Sequence, residues 1–147
     1  MGHYDFNIDI GTGRYGEIVI RDYLLTQGYR FGRFNDDNAY DLLMYYKDKP
    51  ITYEIKTDVY PIDTGNMLIE FESRGKHSGI KTTIADYYVY YYYHLKEGWR
   101  ISVPDLKELI EKHPFREVLC GDANSGTSGY LIPRHSFYER FDVRTGI

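Results

Sequence analysis

The sequence predicts an α/β fold in which a mixed central β-sheet is flanked by helices. Three observations predict it. Residues 40–58 hold two runs rich in β-branched, aromatic and apolar side chains, 41–46 and 51–57, around the turn residues Lys47-Asp48-Lys49-Pro50. Residues 13–27 place Ile18, Val19, Tyr23, Leu24 and Leu25 on one side of a helix that Gly28 ends. Later strand-like runs at 67–73, 86–94 and 99–103 precede a second helix opened by Pro104.

In chain order, residues 1–10 alternate Phe6, Ile8 and Ile10 with Asn7 and Asp9, which suits a brief edge strand or a lead-in. Thr12 is the expected N-cap of the first helix. Residues 29–34 read as a strand and 35–38 as a polar turn, and the 40–58 hairpin follows. Residues 58–66, with Pro61 and Gly65, read as a loop before the strand at 67–73. Residues 74–79 form a basic, glycine-containing loop, and 80–85 a helical turn. The run 86–94 carries six tyrosines and is strand-like by propensity, although tyrosine at both parities blurs the period. Leu106, Leu109 and Ile110 have helical spacing, and Pro114 follows that helix. Beyond it lie a strand at 116–120, a loop at 121–129, an extended piece at 130–133 and a last turn near 136–138. No repeat or linker divides the 147 residues, so one domain is expected.

Composition narrows the class. With 42% hydrophobic and 27% charged residues, the chain matches ordinary globular proteins. The single Cys120 excludes an internal disulfide and no Cys/His cluster has zinc-finger spacing, so a reducing, intracellular and cytoplasmic setting is expected. No signal peptide is visible, and no apolar run approaches the roughly 20 residues of a membrane span. The net charge of −4 argues mildly against a nucleic-acid partner. The halves differ, however. Residues 1–73 carry 7 Lys+Arg against 13 Asp+Glu, and residues 74–147 carry 11 against 9. An acidic half that holds cations and a more basic half that meets phosphates would suit a nuclease.

The hairpin carries the chemistry. Closed symmetrically about Asp48-Lys49, it sets Asp41 opposite Lys56 and Leu43 opposite Glu54. Asp41, Glu54 and Lys56 then share one face, with the two carboxylates about 7–8 Å apart at Cα. Carboxylates so placed share a hard divalent cation, and the lysine supplies a charge for a phosphate or a water. As text, D-x12-E-x-K is weak, because acidic residues are common. The shared face beside Leu43 and Tyr45 is what strengthens it.

Other features weigh less. Gly11-Thr12-Gly13-Arg14-Tyr15-Gly16 spells G-x-G-x-x-G with Asp36 20 residues beyond Gly16, as a dinucleotide-binding module would have. The preceding residues are too polar for a buried central strand, and a hairpin follows Asp36 where a crossover helix is needed. A flexible entry to the helix, with Arg14 close to a phosphate backbone, is the preferred reading. Glu17 shares a helix face with Ile20, Arg21 and Leu24, and either completes the acidic site or stays exposed near the helix N-terminus. Glu70 and Glu72 share a strand face, read mainly as solvent-facing alternation. Arg74, Lys76, His77 and Lys81 are the phosphate-contact candidates, because their glycine neighbours permit close approach. The tyrosines of 86–94 are read first as core and sheet packing, ahead of base stacking or a dimer interface. No Ser/His/Asp arrangement is legible.

G-R-Y-G-E17, Y-D41 and E54-I-K56, in that order, resemble the PD-(D/E)XK nuclease superfamily, and within it the archaeal-type Holliday junction resolvases and their phage-encoded relatives. The likeness covers residues 13–57, about a third of the chain. It implies a restriction-endonuclease-like αβββαβ core, with Asp41 and Glu54 as Mg²⁺ ligands and Lys56 as the catalytic lysine. It further implies Glu17 as the helix-borne acid and the Ile55 carbonyl as another ligand. Tyr40 stands where the motif has proline. The second half, including N-M-L-I-E-F-E-S-R-G-K-H-S-G and G-Y-L-I-P, looks instead like phage endonucleases of the superfamily.

The expectation is therefore a Mg²⁺-dependent DNA endonuclease that also accepts Mn²⁺, acting on branched DNA as a homodimer. A restriction-type nuclease is the alternative within the superfamily. Outside it stand a dinucleotide-binding module and a non-catalytic nucleic-acid-binding protein.

Overall fold

The computed structural model describes residues 7–120 and 126–147. Helix α1 (Asn7–Thr26) leads into strands β1 (Arg30–Phe34), β2 (Leu42–Tyr46) and β3 (Lys49–Asp58). Next come β4 (Asn66–Ser73), β5 (Lys76–His77), a 3-10 turn at Gly79–Lys81, β6 (Tyr87–Tyr92) and β7 (Glu97–Ser102). Helix α2 (Val103–Lys112), β8 (Arg116–Cys120), β9 (Thr127–Pro133), a 3-10 segment at Arg134–Arg140 and β10 (Asp142–Thr145) follow.

The α/β class and the mixed sheet are present. Six strands pair in the order β1-β2-β3-β6-β7-β10, with β3 and β6 parallel and the other neighbours antiparallel. A second, antiparallel sheet, β5-β4-β9-β8, was not anticipated. Parallel neighbours need a crossover. Here β4, β5 and the 3-10 turn supply it, where the αβββαβ order has a helix. Among the described residues, no helix is long and apolar enough to cross a membrane.

The tyrosine-rich strand β6 explains how the layers join. Side chains alternate across a strand. Tyr88, Tyr90 and Tyr92 enter one core with Met67, Ile69, Trp99, Leu106 and Ile132, beneath the second sheet and α2. Val89 and Tyr91 enter the other with Ile20, Leu24, Leu42, Met44 and Tyr53, beneath α1. A buried phenol needs a partner. Tyr90 Oη donates to Asp58 Oδ2 at 2.7 Å and accepts from the Leu68 amide at 3.1 Å. Tyr92 Oη donates to the Asn66 carbonyl at 3.0 Å, and Tyr91 Oη to the Ile147 carbonyl at 2.9 Å. Packing is thus the role of these tyrosines, as preferred from the sequence.

Helix α1 begins at Asn7. The edge strand or lead-in expected over residues 1–10 is therefore replaced by helix from Asn7 onward, with residues 1–6 outside the described region, and Thr12 lies inside the helix and does not cap it. The glycine motif also lies within α1, so the strand-to-helix turn that would cradle a dinucleotide phosphate is not formed. Gly16 has a different reason to be small. A Cβ there would overlap the Thr57 hydroxyl and stand 3.0 Å from the Thr57 Cβ. The missing side chain lets α1 approach β3 closely. Gly16→Ala is expected to cost about 1–3 kcal/mol through overpacking, read as a lower urea midpoint, whereas Gly13→Ala, which meets nothing within 4 Å, is expected to match or exceed the parent.

The hairpin register differs from the expected one. Lys47 and Asp48 have φ of 50° and 67°, and Tyr46 pairs with Lys49, which makes a two-residue turn of the primed type. The strand resumes at Lys49, so Lys49 and Pro50 are strand residues. Pro50 pairs with Tyr45, and β6 joins β3 only from Tyr53 onward, so the missing amide disturbs no second ladder. Closure about Lys47-Asp48 sets Leu43 opposite Thr52, not Glu54. The ladder ends at Leu42 opposite Tyr53, and the amide of Asp41 just before it donates to the Tyr53 carbonyl, so the expected pairing of Asp41 with Lys56 is not formed. A slip of two residues leaves the side chains of the paired strands β2 and β3 on their expected faces.

Candidate active site

Asp41 sits where the chain enters β2, and its backbone is held from both sides. Its amide donates to the Tyr53 carbonyl at 2.8 Å, and its carbonyl accepts from the Asn35 amide at 2.9 Å. Its Oδ2 accepts from the Ile55 amide at 2.8 Å, which aims the carboxylate along β3. Glu54 precedes Ile55 on the face opposite Tyr53 and Ile55, both buried in the α1-side core. Glu17 descends from α1 with its side chain 12% exposed, and its Oε1 lies 3.0 Å from Arg14 Nε without the alignment of a hydrogen bond. Arg14 also pairs with Asp36 at 2.8 Å and lies over the Phe34 ring at 4.3 Å.

A fourth acid joins them. The register of β4 against β9 shifts between Glu70, opposite Gly129, and Glu72, opposite Ser128. Consecutive partners face opposite ways, so the bulge at Phe71 separates the two glutamates that strict alternation would put on one face. Glu70 accepts from Ser78 Oγ at 2.7 Å and acts electrostatically on Glu54.

Burial and mutual repulsion show in the titration of this group. Glu54 is pushed up to about 8, first by burial and then by Asp41, with further contributions from Glu70 and Glu17 and with Thr83 opposing. Glu17 is pushed up to about 7 by burial and then by Asp41, with Arg14 opposing. Asp41 is raised by burial, against the Ile55 amide and Arg14. Tyr88, buried under the cluster, is raised by burial and then by Glu54, Glu70 and Asp41. One arginine does not balance these carboxylates. Among the described residues no three Asp, Glu, His or Cys side chains form a ready-made metal cage. In donor chemistry the group nonetheless fits a hard divalent ion, since it offers carboxylate oxygens, one of them (Glu17 Oε1) buried without an aligned donor.

A carboxylate whose pKa is raised on folding stabilises the protein below its unfolded pKa and loses that contribution as pH rises through the folded value. In chelator, the melting temperature is therefore expected to fall between about pH 5 and pH 8, the interval set by Glu17 at about 7 and Glu54 at about 8. Excess Mg²⁺ or Ca²⁺ is expected to raise it more at pH 8 than at pH 5, because only the ionised acids bind a cation well.

Lys56 is half-buried, two residues beyond Glu54 and opposite Tyr90 of β6. It lines an open groove of about 540 Å³ with Val59, Tyr60, Pro61, Leu68 and Leu131. Arg74, Lys76, His77 and Lys81 are exposed. They do not form the expected loop, because Arg74 and Gly75, with φ of 53° and 77°, make a tight turn into β5. The Ser78–Glu70 hydrogen bond ties this basic hairpin to the acidic group. Arg14, in contrast, is already shared between Glu17 and Asp36. Sequence reasoning ranked Glu70 low and missed Thr83 and Tyr88. The β4 bulge that separates Glu70 from Glu72 has no marker in the residues, and the other two approach only through long-range pairing.

No family model matches the chain, and neither any curated protein nor any solved structure matches it.

Proposed function

We propose that the chain is a Mg²⁺-dependent DNA endonuclease that hydrolyses phosphodiester bonds in branched DNA, with a four-way junction as its substrate. The observation that carries this reading is that Asp41, at the entry to β2, is bonded to the Ile55 amide next to Glu54 and raises the pKa of both Glu54 and Glu17, with Lys56 on the Glu54 face of β3. The core would be restriction-endonuclease-like, with the β4–β5 crossover in place of its second helix. Asp41, Glu54, Glu17 and the Ile55 carbonyl would hold the ion, which when bound supplies Lewis-acid stabilisation of the scissile phosphate. The Ile55 amide keeps the Asp41 carboxylate oriented, and Arg14 restrains Glu17. The Lys56 ammonium stabilises charge that develops on the phosphate or positions the attacking water. Arg74, Lys76, His77 and Lys81 contact the DNA backbone beside the acids, where they fix its register without reading sequence. Symmetric cutting of a junction needs two such centres, hence a two-fold homodimer.

The test is cleavage of a labelled four-way junction beside flap, linear duplex and single strand, with Mg²⁺, Mn²⁺ or chelator. The expected result is metal-dependent nicking of the junction in preference to the others. Site-specific cutting of linear duplex would point to a restriction-type enzyme, and binding without cutting in either metal would contradict catalysis.

A further inference from the structure

We propose that the β3–β4 loop, residues 59–65, is a rigid apolar wedge that takes an unpaired nucleobase at the branch point of the DNA. This inference rests on the nuclease reading and names how that site selects its substrate. Val59-Tyr60-Pro61-Ile62 is an unbroken apolar run, with Val59 39%, Tyr60 60% and Ile62 63% exposed. Such a run on a surface lacks a folding rationale.

The loop is held firmly although its apolar side chains face solvent. The Tyr60 amide donates to Asp58 Oδ1 at 2.9 Å, and Asp58 is itself held by Tyr90. His94 Nε2 stands 3.0 Å from the Val59 carbonyl oxygen. At the far end the Gly65 amide donates to Asp63 Oδ1 at 2.9 Å, and the Gly65 carbonyl accepts from the Arg134 amide at 3.0 Å. The backbone is thus ordered before any partner arrives, which lowers the entropic cost of binding.

Continuity with the catalytic groups identifies the occupant. Val59, Tyr60 and Pro61 line the same groove as Lys56, together with Leu68 and Leu131. A strand whose phosphate lies at Lys56 therefore brings its neighbouring base to Tyr60. An aromatic face with aliphatic flanks suits the flat face of a base and offers nothing to a phosphate. The base pairs that flank a branch point open more readily than those inside linear duplex, where unstacking costs a few kcal/mol.

The experiment measures binding of the full chain to a four-way junction and to linear duplex in Ca²⁺, and cleavage in Mg²⁺, for the parent, Tyr60→Ala, Tyr60→Trp and the double variant Tyr60→Ala/Ile62→Ala. Stacking on one base is worth about 1–3 kcal/mol, which converts to roughly 5–150-fold in affinity. Tyr60→Ala is expected to weaken junction binding by about tenfold, to leave duplex binding unchanged and to keep the parent melting temperature. Tyr60→Trp is expected to bind the junction as the parent does, with indole fluorescence quenched on binding. If the parent cuts junctions while both alanine variants bind them with parental affinity, the wedge is overturned and the nuclease reading stands. If the parent neither binds nor cuts any DNA, the nuclease reading fails and the wedge falls with it.

Discussion

Asp41→Asn is expected to lower the cleavage rate by about a thousandfold or more while the protein stays folded and bound to DNA. Loss of a ligand to a catalytic ion removes several kcal/mol of transition-state stabilisation, and each 1.4 kcal/mol is a factor of ten. Folding is spared because an asparagine carbonyl still accepts the Ile55 amide that Asp41 Oδ2 accepts at 2.8 Å. Relief of repulsion on Glu54 and Glu17, both raised in part by Asp41, is expected to make the metal-free variant slightly more stable than the parent at pH 8. Lys56→Ala is expected to show the same loss of cleavage, with retained folding because the side chain is only half-buried. Single-turnover cleavage of a labelled junction, with a gel-shift control, checks both. Cleavage by either variant at the parental rate would mean that the reaction occurs elsewhere.

The largest effect on stability is expected at Asp63, which has no part in the proposed catalysis. Arg134 is 3% exposed, and its Nη1 and Nη2 each donate to an Asp63 carboxylate oxygen at 2.7 Å. Its guanidinium also lies over the rings of Tyr92 and Trp99, at 4.6 and 5.7 Å. A buried cation without its carboxylate is costly. Asp63→Ala is therefore expected to destabilise the chain by roughly 3 kcal/mol, the low end for a broken buried pair, because the Asp63 side chain is itself 41% exposed. For a domain of this size that corresponds to a fall of roughly 6–12 °C in melting temperature. The pH dependence has a definite sign. Arg134 holds the Asp63 carboxyl down at about 2, so its contribution is complete above about pH 4 and is lost as pH falls towards 2. Thermal melts of parent and Asp63→Ala should converge in that interval and stay apart above it. A gap that stays constant down to pH 2 would show that it does not come from the ionised pair.

What was legible in the sequence was local. The strands 41–46 and 51–57 were visible because their composition matches a pleated, half-buried surface. Even so, the hairpin's pairing came out two residues from the expected one. Lys47-Asp48 adopts left-handed conformations that lysine seldom takes, and Pro50 looked like turn chemistry although it lies on a stretch of strand with a free side. The even slip leaves Glu54 and Lys56 on their expected face, whereas Asp41 lies just before the ladder, where its Oδ2 accepts from the Ile55 amide. Helix α1 was legible from its apolar side, but not its start, since Phe6-Asn7-Ile8-Asp9-Ile10 alternates as well as any strand. The role of Gly16 depends on Thr57, 41 residues away, and nothing near the glycine announces that contact. The second sheet was not legible either. Residues 67–73 and 130–133 each read as extended, yet their pairing spans the whole second half of the chain. That pairing, with its bulge at Phe71, is what separates Glu70, which acts on Glu54, from Glu72.

The most direct test of the account is a Mn²⁺ titration of the chain at pH 8, followed by electron paramagnetic resonance, for the parent, Asp41→Asn and Glu54→Gln. The parent is expected to deplete the free-ion signal, Mg²⁺ to compete for the same site, and both variants to lose this binding while they remain folded. Equal Mn²⁺ binding by all three proteins, or none by the parent, would contradict the claim that these carboxylates hold the ion.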